Sequence, residues 1–255
     1  MQETPFPDIN GLLESLLSRM RQILEERLVG LYLYGSLTTG DFDPGSSDID
    51  LLAVTSSGVS GAESDALHDM HLGFARENPG WEDRVEVAYL SAAALRTFRS
   101  VRSPIAVISP GEPFHMTEAG SEWLMNWYVV RENGVALFGP PAEALIAPIT
   151  REEFAECVRD YAVDWGDRIR GVTERKDQAY AILTMCRALH VHRTGESASK
   201  RQAALWAQEE LPQWSGLIQS ALAWREAWRE QEVDHAATRA ETIRFVNFVR
   251  DEILA

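Results

Sequence analysis

The sequence predicts an α+β protein, a small sheet domain with flanking helices followed by an all-α helical bundle. Three observations predict it. Up to residue 90, short apolar runs of strand length alternate with helical spacings. Beyond residue 150 every periodic segment is helical. Between them Gly139-Pro140-Pro141 and Pro148 break the chain. The boundary is set accordingly, with residues 1–145 forming the first domain and 146–255 the second.

The elements follow in order. A helix starts near Asp8, a good N-cap, with Ile9, Leu12, Leu13, Leu16, Leu17, Met20, Ile23 and Leu24 on one face. Leu28 to Tyr34 reads as a short buried strand, stopped by Gly35-Ser36. Thr38 to Ser47 is turn-rich, and Asp48 to Thr55 is a second strand. Ser60 to Arg76 is helical, and Arg84 to Leu90 is a third strand. Residues 92–120, punctuated by Pro104, Pro110, Gly111 and Pro113, read as loop-rich. A helix from Trp123 to Glu132 and a strand from Val135 to Phe138 close the domain. The bundle is expected from helices at 151–166, 174–194, 199–210, 216–231 and 234–253.

Composition narrows the function. No apolar run reaches the ~18 residues of a membrane-spanning helix, and MQETPFPDIN lacks the basic and apolar parts of a signal peptide. A cytoplasmic protein with no membrane partner is expected. The net charge of −15 argues against a nucleic-acid partner and suits a cationic small molecule. The charge is uneven: residues 1–150 carry 9 Lys and Arg against 21 Asp and Glu, whereas 151–255 carry 15 against 18. Cys157 and Cys186 lie in helical patterns without metal spacing and read as plain thiols. His190 and His192 have no zinc-spaced partners and read as helix-surface residues.

The segment from Gly35 to Leu52 carries the chemistry. A buried strand ends in Gly35-Ser36, and Asp48-Ile49-Asp50 opens the next. In a strand, residues i and i+2 share a face, so Asp48 and Asp50 project together and can reach the same cations. Gly35 lets backbone approach a ligand, and the Ser36 hydroxyl and neighbouring N–H groups can hold a phosphate. Phosphoryl and nucleotidyl transfer need such a site, because the anionic triphosphate is neutralised by Mg²⁺ held between carboxylates and phosphate oxygens. Glu86 alternates with Val85 and Val87. If its strand neighbours that of Asp50, it joins the aspartates, either as a metal ligand or as the group that accepts a hydroxyl proton.

These residues resemble the nucleotidyltransferase superfamily that includes DNA polymerase β: an apolar strand, Gly35-Ser36, a spacer, then Asp48 and Asp50. More closely, residues 28–250 resemble the aminoglycoside nucleotidyltransferases that adenylylate streptomycin and spectinomycin. The likeness runs through Leu33-Tyr34-Gly35-Ser36, Ser47-Asp48-Ile49-Asp50-Leu51-Leu52, Val135-Ala136-Leu137-Phe138-Gly139-Pro140 and Leu183-Thr184-Met185-Cys186-Arg187, as far as the Lys200 segment.

The resemblance implies that Asp48 and Asp50 bind Mg²⁺, as a pair of ions, with Glu86 as base. It implies that Arg187 and Lys200 contact the triphosphate of ATP and Asp177 the drug. Trp224 would pack at the nucleotide, where the family often has Tyr. A short insertion ahead of Asp177, near Asp164, Trp165 and Asp167, sets the chain apart from streptomycin-modifying relatives. The expected protein is a monomeric adenylyltransferase that uses ATP and a hydroxylated, cationic acceptor, an aminoglycoside or aminocyclitol first. Another metabolite or protein acceptor, or a nucleotide-binding regulator without turnover, is the alternative.

Overall fold

In the computed structural model, which describes residues 4–227 and 234–255, Pro7 opens the first helix rather than Asp8. Proline suits this position because its missing N–H would have no partner there. Helix α1 (Pro7–Leu24) takes Asp8 into its first turn and buries Ile9, Leu13, Leu16, Met20 and Leu24. Then come β1 (Leu28–Tyr34), a one-turn helix α2 (Ser36–Thr39), β2 (Ile49–Thr55), α3 (Gly61–Glu77) and β3 (Val85–Ser91). The strands lie in one six-stranded sheet. Strand β1 pairs antiparallel with β2, and β2 pairs parallel with β3. The parallel pair needs a crossover, which α3 supplies.

Alternation sorts the two faces of the sheet. Leu31, Leu33, Ile49, Leu51, Ala53, Val85, Val87 and Tyr89 form one core with the buried side chains of α1 and with Leu67 and Phe74 of α3. Each fully buried Leu or Phe contributes about 1.5–3 kcal/mol. The other face carries Tyr32, Tyr34, Asp50, Leu52, Val54, Glu86, Ala88 and Leu90. Its apolar members are buried, whereas Asp50 and Glu86 are half-buried at one end.

The stretch 92–120 is not loop-rich. It holds α4 (Ala92–Thr97) and a hairpin, β4 (Ser103–Ser109) with β5 (Glu112–Ala119). Ser109 faces Glu112 across Pro110-Gly111, and Gly111 has φ +79. Proline followed by a left-handed glycine is turn chemistry, so these breakers mark the tip of the hairpin. Pro113 lies on the outermost strand, where a missing donor is tolerated. Helix α5 (Leu124–Asn133) and β6 (Val135–Phe138) complete the unit, giving the order β5-β4-β3-β2-β1-β6.

Contacts divide the chain into two units: residues up to Phe42 with Ser47–Pro148, and Asp43–Ser46 with Ile149–Ala255. The second is helical, with α6 (Arg151–Arg168), α7 (Arg175–Thr194), α8 (Lys200–Glu210), α9 (Ser215–Ala227) and α10 (Arg239–Leu254). The expected end of the fourth helix at 231 lies outside the described residues. The last helix begins at Arg239, not 234, because the Asp234 side chain accepts from the N–H groups of Ala236 and Ala237 and holds a turn.

Helix α7 is the centre of this unit, packed by the other four. Its buried Gln178 is fully used. The amide nitrogen donates to the carbonyls of Thr173 and His235, and the amide oxygen accepts from the hydroxyls of Thr238 and Thr242. No helix among the described residues is long and apolar enough to cross a membrane.

One buried titratable group makes the sheet unit acid-sensitive. His71 of α3 is 4% exposed and its Nε2 lies 2.8 Å from the Tyr89 hydroxyl. Burial, with the nearby His68, pushes its pKa down from 6.5 to about 4. The unfolded chain therefore takes up this proton before the folded one does. The stability gained from neutral His71 is complete above pH 6.5 and is lost as pH falls through about 4. The full loss is about 3 kcal/mol. His71→Gln keeps a partner for Tyr89 but cannot titrate. Its urea-unfolding free energy should fall less than wild type between pH 6.5 and pH 4, and parallel profiles for the two proteins would remove His71 as the cause.

Candidate active site

The site is built where β1 ends and β2 and β3 begin. Tyr34 pairs with Asp50, and Asp50 pairs in parallel register with Glu86. Partners across a ladder point to the same face, so a phenol and two carboxylates stand in a row. The condition set from the sequence for Glu86 is thus met, since β3 is the neighbour of β2. The Tyr34 O–H donates to Oε1 of Glu86 at 3.4 Å, long for a hydrogen bond. Tyr34 is 8% exposed. Burial first, then the charges of Glu86 and Asp50, hold its pKa well above the usual phenol range. The phenol is therefore a donor here.

Gly35 joins this row to the next turn. Its φ is +75, and a Cβ at this position would collide with the Asp50 carboxylate. Only glycine brings the backbone so close to that side chain. Its carbonyl accepts from the N–H and hydroxyl groups of Thr38 and Thr39. Ser36 opens α2 and is half-buried beside Gly35. Asp48 lies one residue ahead of β2, not within it, and is half-buried.

What holds Asp48 is a residue the sequence reading took only as the start of a strand. Arg84 is 4% exposed. Its Nε donates to the Ser47 carbonyl at 3.0 Å, and its Nη2 donates to the same oxygen. Its guanidinium lies 4.3 Å from the centre of the Trp81 ring. The Ile49 N–H returns a bond to the Arg84 carbonyl at 2.9 Å. A buried charge is costly unless hydrogen-bonded, so Arg84 is committed to fixing this backbone. The signal in the sequence was an arginine abutting an apolar strand.

A divalent cation fits the donor chemistry, since carboxylate oxygens are its preferred ligands. Asp48 and Asp50 are the residues that would hold it, with Glu86 beside Asp50. Among the described residues no three His, Cys, Asp or Glu side chains are gathered as a ready-made metal site. The other ligand positions would fall to phosphate oxygens and water, as is usual for Mg²⁺. A groove of about 770 Å³ lies elsewhere, lined by Glu14, Arg21, Glu25, Leu28 and Phe138. It belongs to the α1 side of the unit and contains none of these carboxylates.

The other expected residues lie in the helical unit. Asp177, exposed in the first turn of α7, is followed at helical spacing by Tyr180, Thr184 and half-buried Arg187 on one side of the helix. Lys200 is the first residue of α8, behind a Ser199–Gln202 capping box. Its Nζ lies 4.7 Å from the centre of the Tyr180 ring, which puts it over the same side of α7. Trp224 of α9 lies under the Arg175 guanidinium, 4.8 Å from its ring centre. Cys186 is buried, and burial pushes its thiol pKa well up, so it is inert. His190 Nδ1 lies 3.0 Å from the Glu196 carbonyl and the ring meets Trp206 edge-on.

Known proteins match this layout. Residues 13–99 match the nucleotidyltransferase domain, and residues 144–252 match the aminoglycoside adenylyltransferase C-terminal domain. An aminoglycoside (3'') (9) adenylyltransferase of Escherichia coli is 26% identical over 99% of this chain and 98% of its own length. A spectinomycin 9-adenylyltransferase of Staphylococcus aureus is 30% identical over 32% of this chain and 30% of its own. The crystal structure of a spectinomycin adenyltransferase from Enterococcus faecialis, with ATP and spectinomycin, shares the fold. Its TM-score is 0.74 at 15% identity, covering 96% of this chain and 99% of that one. With both of its domains matched and a relative aligned along its whole length, the chain is a nucleotidyltransferase, built of a nucleotidyltransferase domain and an aminoglycoside adenylyltransferase C-terminal domain.

Proposed function

We propose that the enzyme transfers AMP from ATP to a hydroxyl of an aminoglycoside or aminocyclitol of the spectinomycin or streptomycin type. Mg²⁺ is required and pyrophosphate is released. The observation that carries this reading is the row of Tyr34, Asp50 and Glu86 beside Gly35. It offers carboxylates for a cation and a carboxylate for a proton at one end of a rigid sheet. The relatives named as adenylyltransferases supply the substrate class.

In this reading Asp48 and Asp50 would hold Mg²⁺, which would supply positive charge against the triphosphate. Gly35 and Ser36 present backbone and hydroxyl donors to phosphate oxygens. Glu86 accepts the proton of the acceptor hydroxyl as its oxygen bonds to the α-phosphorus and the bond to pyrophosphate breaks. An alcohol is far too weak an acid to ionise alone near neutral pH, and general-base help is typically worth ~10²–10⁴ in rate. Arg187 and Lys200 contact the triphosphate, the first through a forked donor pair and the second as a point charge. Trp224 packs at the nucleotide. Asp177 is exposed and anionic, which suits an ammonium group of the acceptor.

Pyrophosphate release from Mg²⁺–ATP, measured across aminoglycosides and aminocyclitols, tests the whole reading. Spectinomycin or streptomycin should stimulate release. A panel that stimulates nothing would reject the acceptor class. Asp50→Asn keeps volume and removes charge, so turnover should drop at least a hundredfold with thermal melting unchanged. Turnover near wild type would clear Asp50 of the role. Glu86→Gln should bind Mg²⁺–ATP almost normally while its single-turnover rate falls by roughly 10²–10⁴. A parallel loss of affinity and rate would instead make Glu86 a metal ligand. By isothermal titration, Arg187→Ala and Lys200→Ala should each weaken Mg²⁺–ATP binding about tenfold or more. Unchanged affinity in both would remove the helical unit from nucleotide binding.

A further inference from the structure

We propose that Tyr34 is a positioning residue for the base, holding the Glu86 carboxylate in its working orientation through the hydrogen bond from its phenol. The inference rests on the reading of Glu86 as general base and adds a residue to it. A glutamate reaches its carboxylate through three torsions, and the last is broad and unconstrained by local sterics. Proton transfer needs the oxygen within about 2.6–3.2 Å of the hydroxyl, so orientation enters the rate directly.

The geometry around Tyr34 supplies a fixed donor to Glu86. Tyr34 sits in β1, and β1 and β3 flank β2, so its phenol reaches Glu86 past the in-register Asp50. The ring is 8% exposed and stands on a strand paired on both edges, with β2 and with β6. A buried tyrosine has few rotamers open to it, so its hydroxyl is a fixed point. That hydroxyl donates to Oε1 at 3.4 Å. Catalytic hydrogen bonds are often long before substrate binds and shorten in the complex. A phenol also suits the neighbourhood better than a cation would. It orients a carboxylate without cancelling the negative charge that a nearby Mg²⁺ site uses. Neighbouring Gly35 ties the end of β1 to Asp50, so base, metal-binding carboxylate and phosphate turn share one support.

The test is a double-mutant cycle with spectinomycin or streptomycin as acceptor, reading kcat, the KM for ATP, and thermal melting. Tyr34→Phe keeps the ring and removes only the donor. It should lower kcat about ten- to a hundredfold, the cost of a misplaced catalytic group, with the KM for ATP within about twofold of wild type. The decisive arm is Tyr34→Phe placed in Glu86→Gln. If Tyr34 acts through Glu86, the second change costs little further, because groups that work as a unit are not additive. Equal losses in both backgrounds would mean that Tyr34 acts independently of Glu86 and would overturn the proposal. So would Tyr34→Phe turning over like wild type while Glu86→Gln is crippled, which leaves the base reading standing. Full activity in Glu86→Gln would instead reject the base reading, and Tyr34 would have nothing to position.

Discussion

The parallel pairing of β2 with β3 is the constraint on which the site depends. Asp50 stands opposite Glu86 only in the register that also turns Ile49, Leu51 and Ala53, with Val85, Val87 and Tyr89, toward α1 and α3. A slip of β3 by one residue would send each of its side chains to the opposite face. It would bury Glu86 in the helix-covered core and expose Val85 or Val87 at the site. With about 1.5–3 kcal/mol at stake for each large apolar side chain, the core enforces the register far more strongly than the carboxylates could. The carboxylates, left alone, would repel each other. The chemistry is thus carried on a register that hydrophobic burial selects.

Local contacts then refine what the register roughly sets. Gly35 brings backbone against Asp50 at a positive φ, where any side chain would collide. Arg84 ties the Ser47 carbonyl to the start of β3 and so fixes the residue before Asp48. Trp81 stacks on that guanidinium, and the Ile49–Arg84 backbone bond begins the ladder. Asp48 is therefore placed by the strand on one side and by a buried arginine on the other. This precision is enough to align carboxylates before any ligand arrives, which is where preorganised sites draw their advantage.

Much of this was legible in the sequence, for a physical reason. Period-two alternation is enforced by burial, so Asp50 and Glu86 announce themselves as polar residues in otherwise apolar strands. The helical unit was legible for the same reason at the helical period. What escaped was written in residues with two meanings. Pro110, Gly111 and Pro113 break helices and central strands, yet they also build the tip and edge of a hairpin, and only the pairing of β4 with β5 decides between these. Arg84 reads as the first residue of a strand until its guanidinium is seen at a backbone carbonyl. Tyr34 reads as one more apolar strand residue, because a phenol's donor is silent in a hydropathy pattern.

The uneven charge of the chain gains a physical sense from these placements. A sheet unit rich in carboxylates is a poor host for a triphosphate by itself, since the like charges repel across a few ångströms in a partly dry site. Cations and basic side chains are what reverse that sign. Of the basic residues in the helical half, Arg187 and Lys200 are the two the family resemblance points to. Lys200 starts a capped helix and packs over Tyr180. Arg187 rides on α7, whose first turn is anchored by the four hydrogen bonds of Gln178. A long cationic side chain loses much rotamer entropy when it grips a ligand, about 2 kcal/mol for Lys or Arg. Packing that restrains it beforehand reduces the loss. Lys200, at the head of a capped helix and packed over Tyr180, is restrained in this way before any ligand arrives.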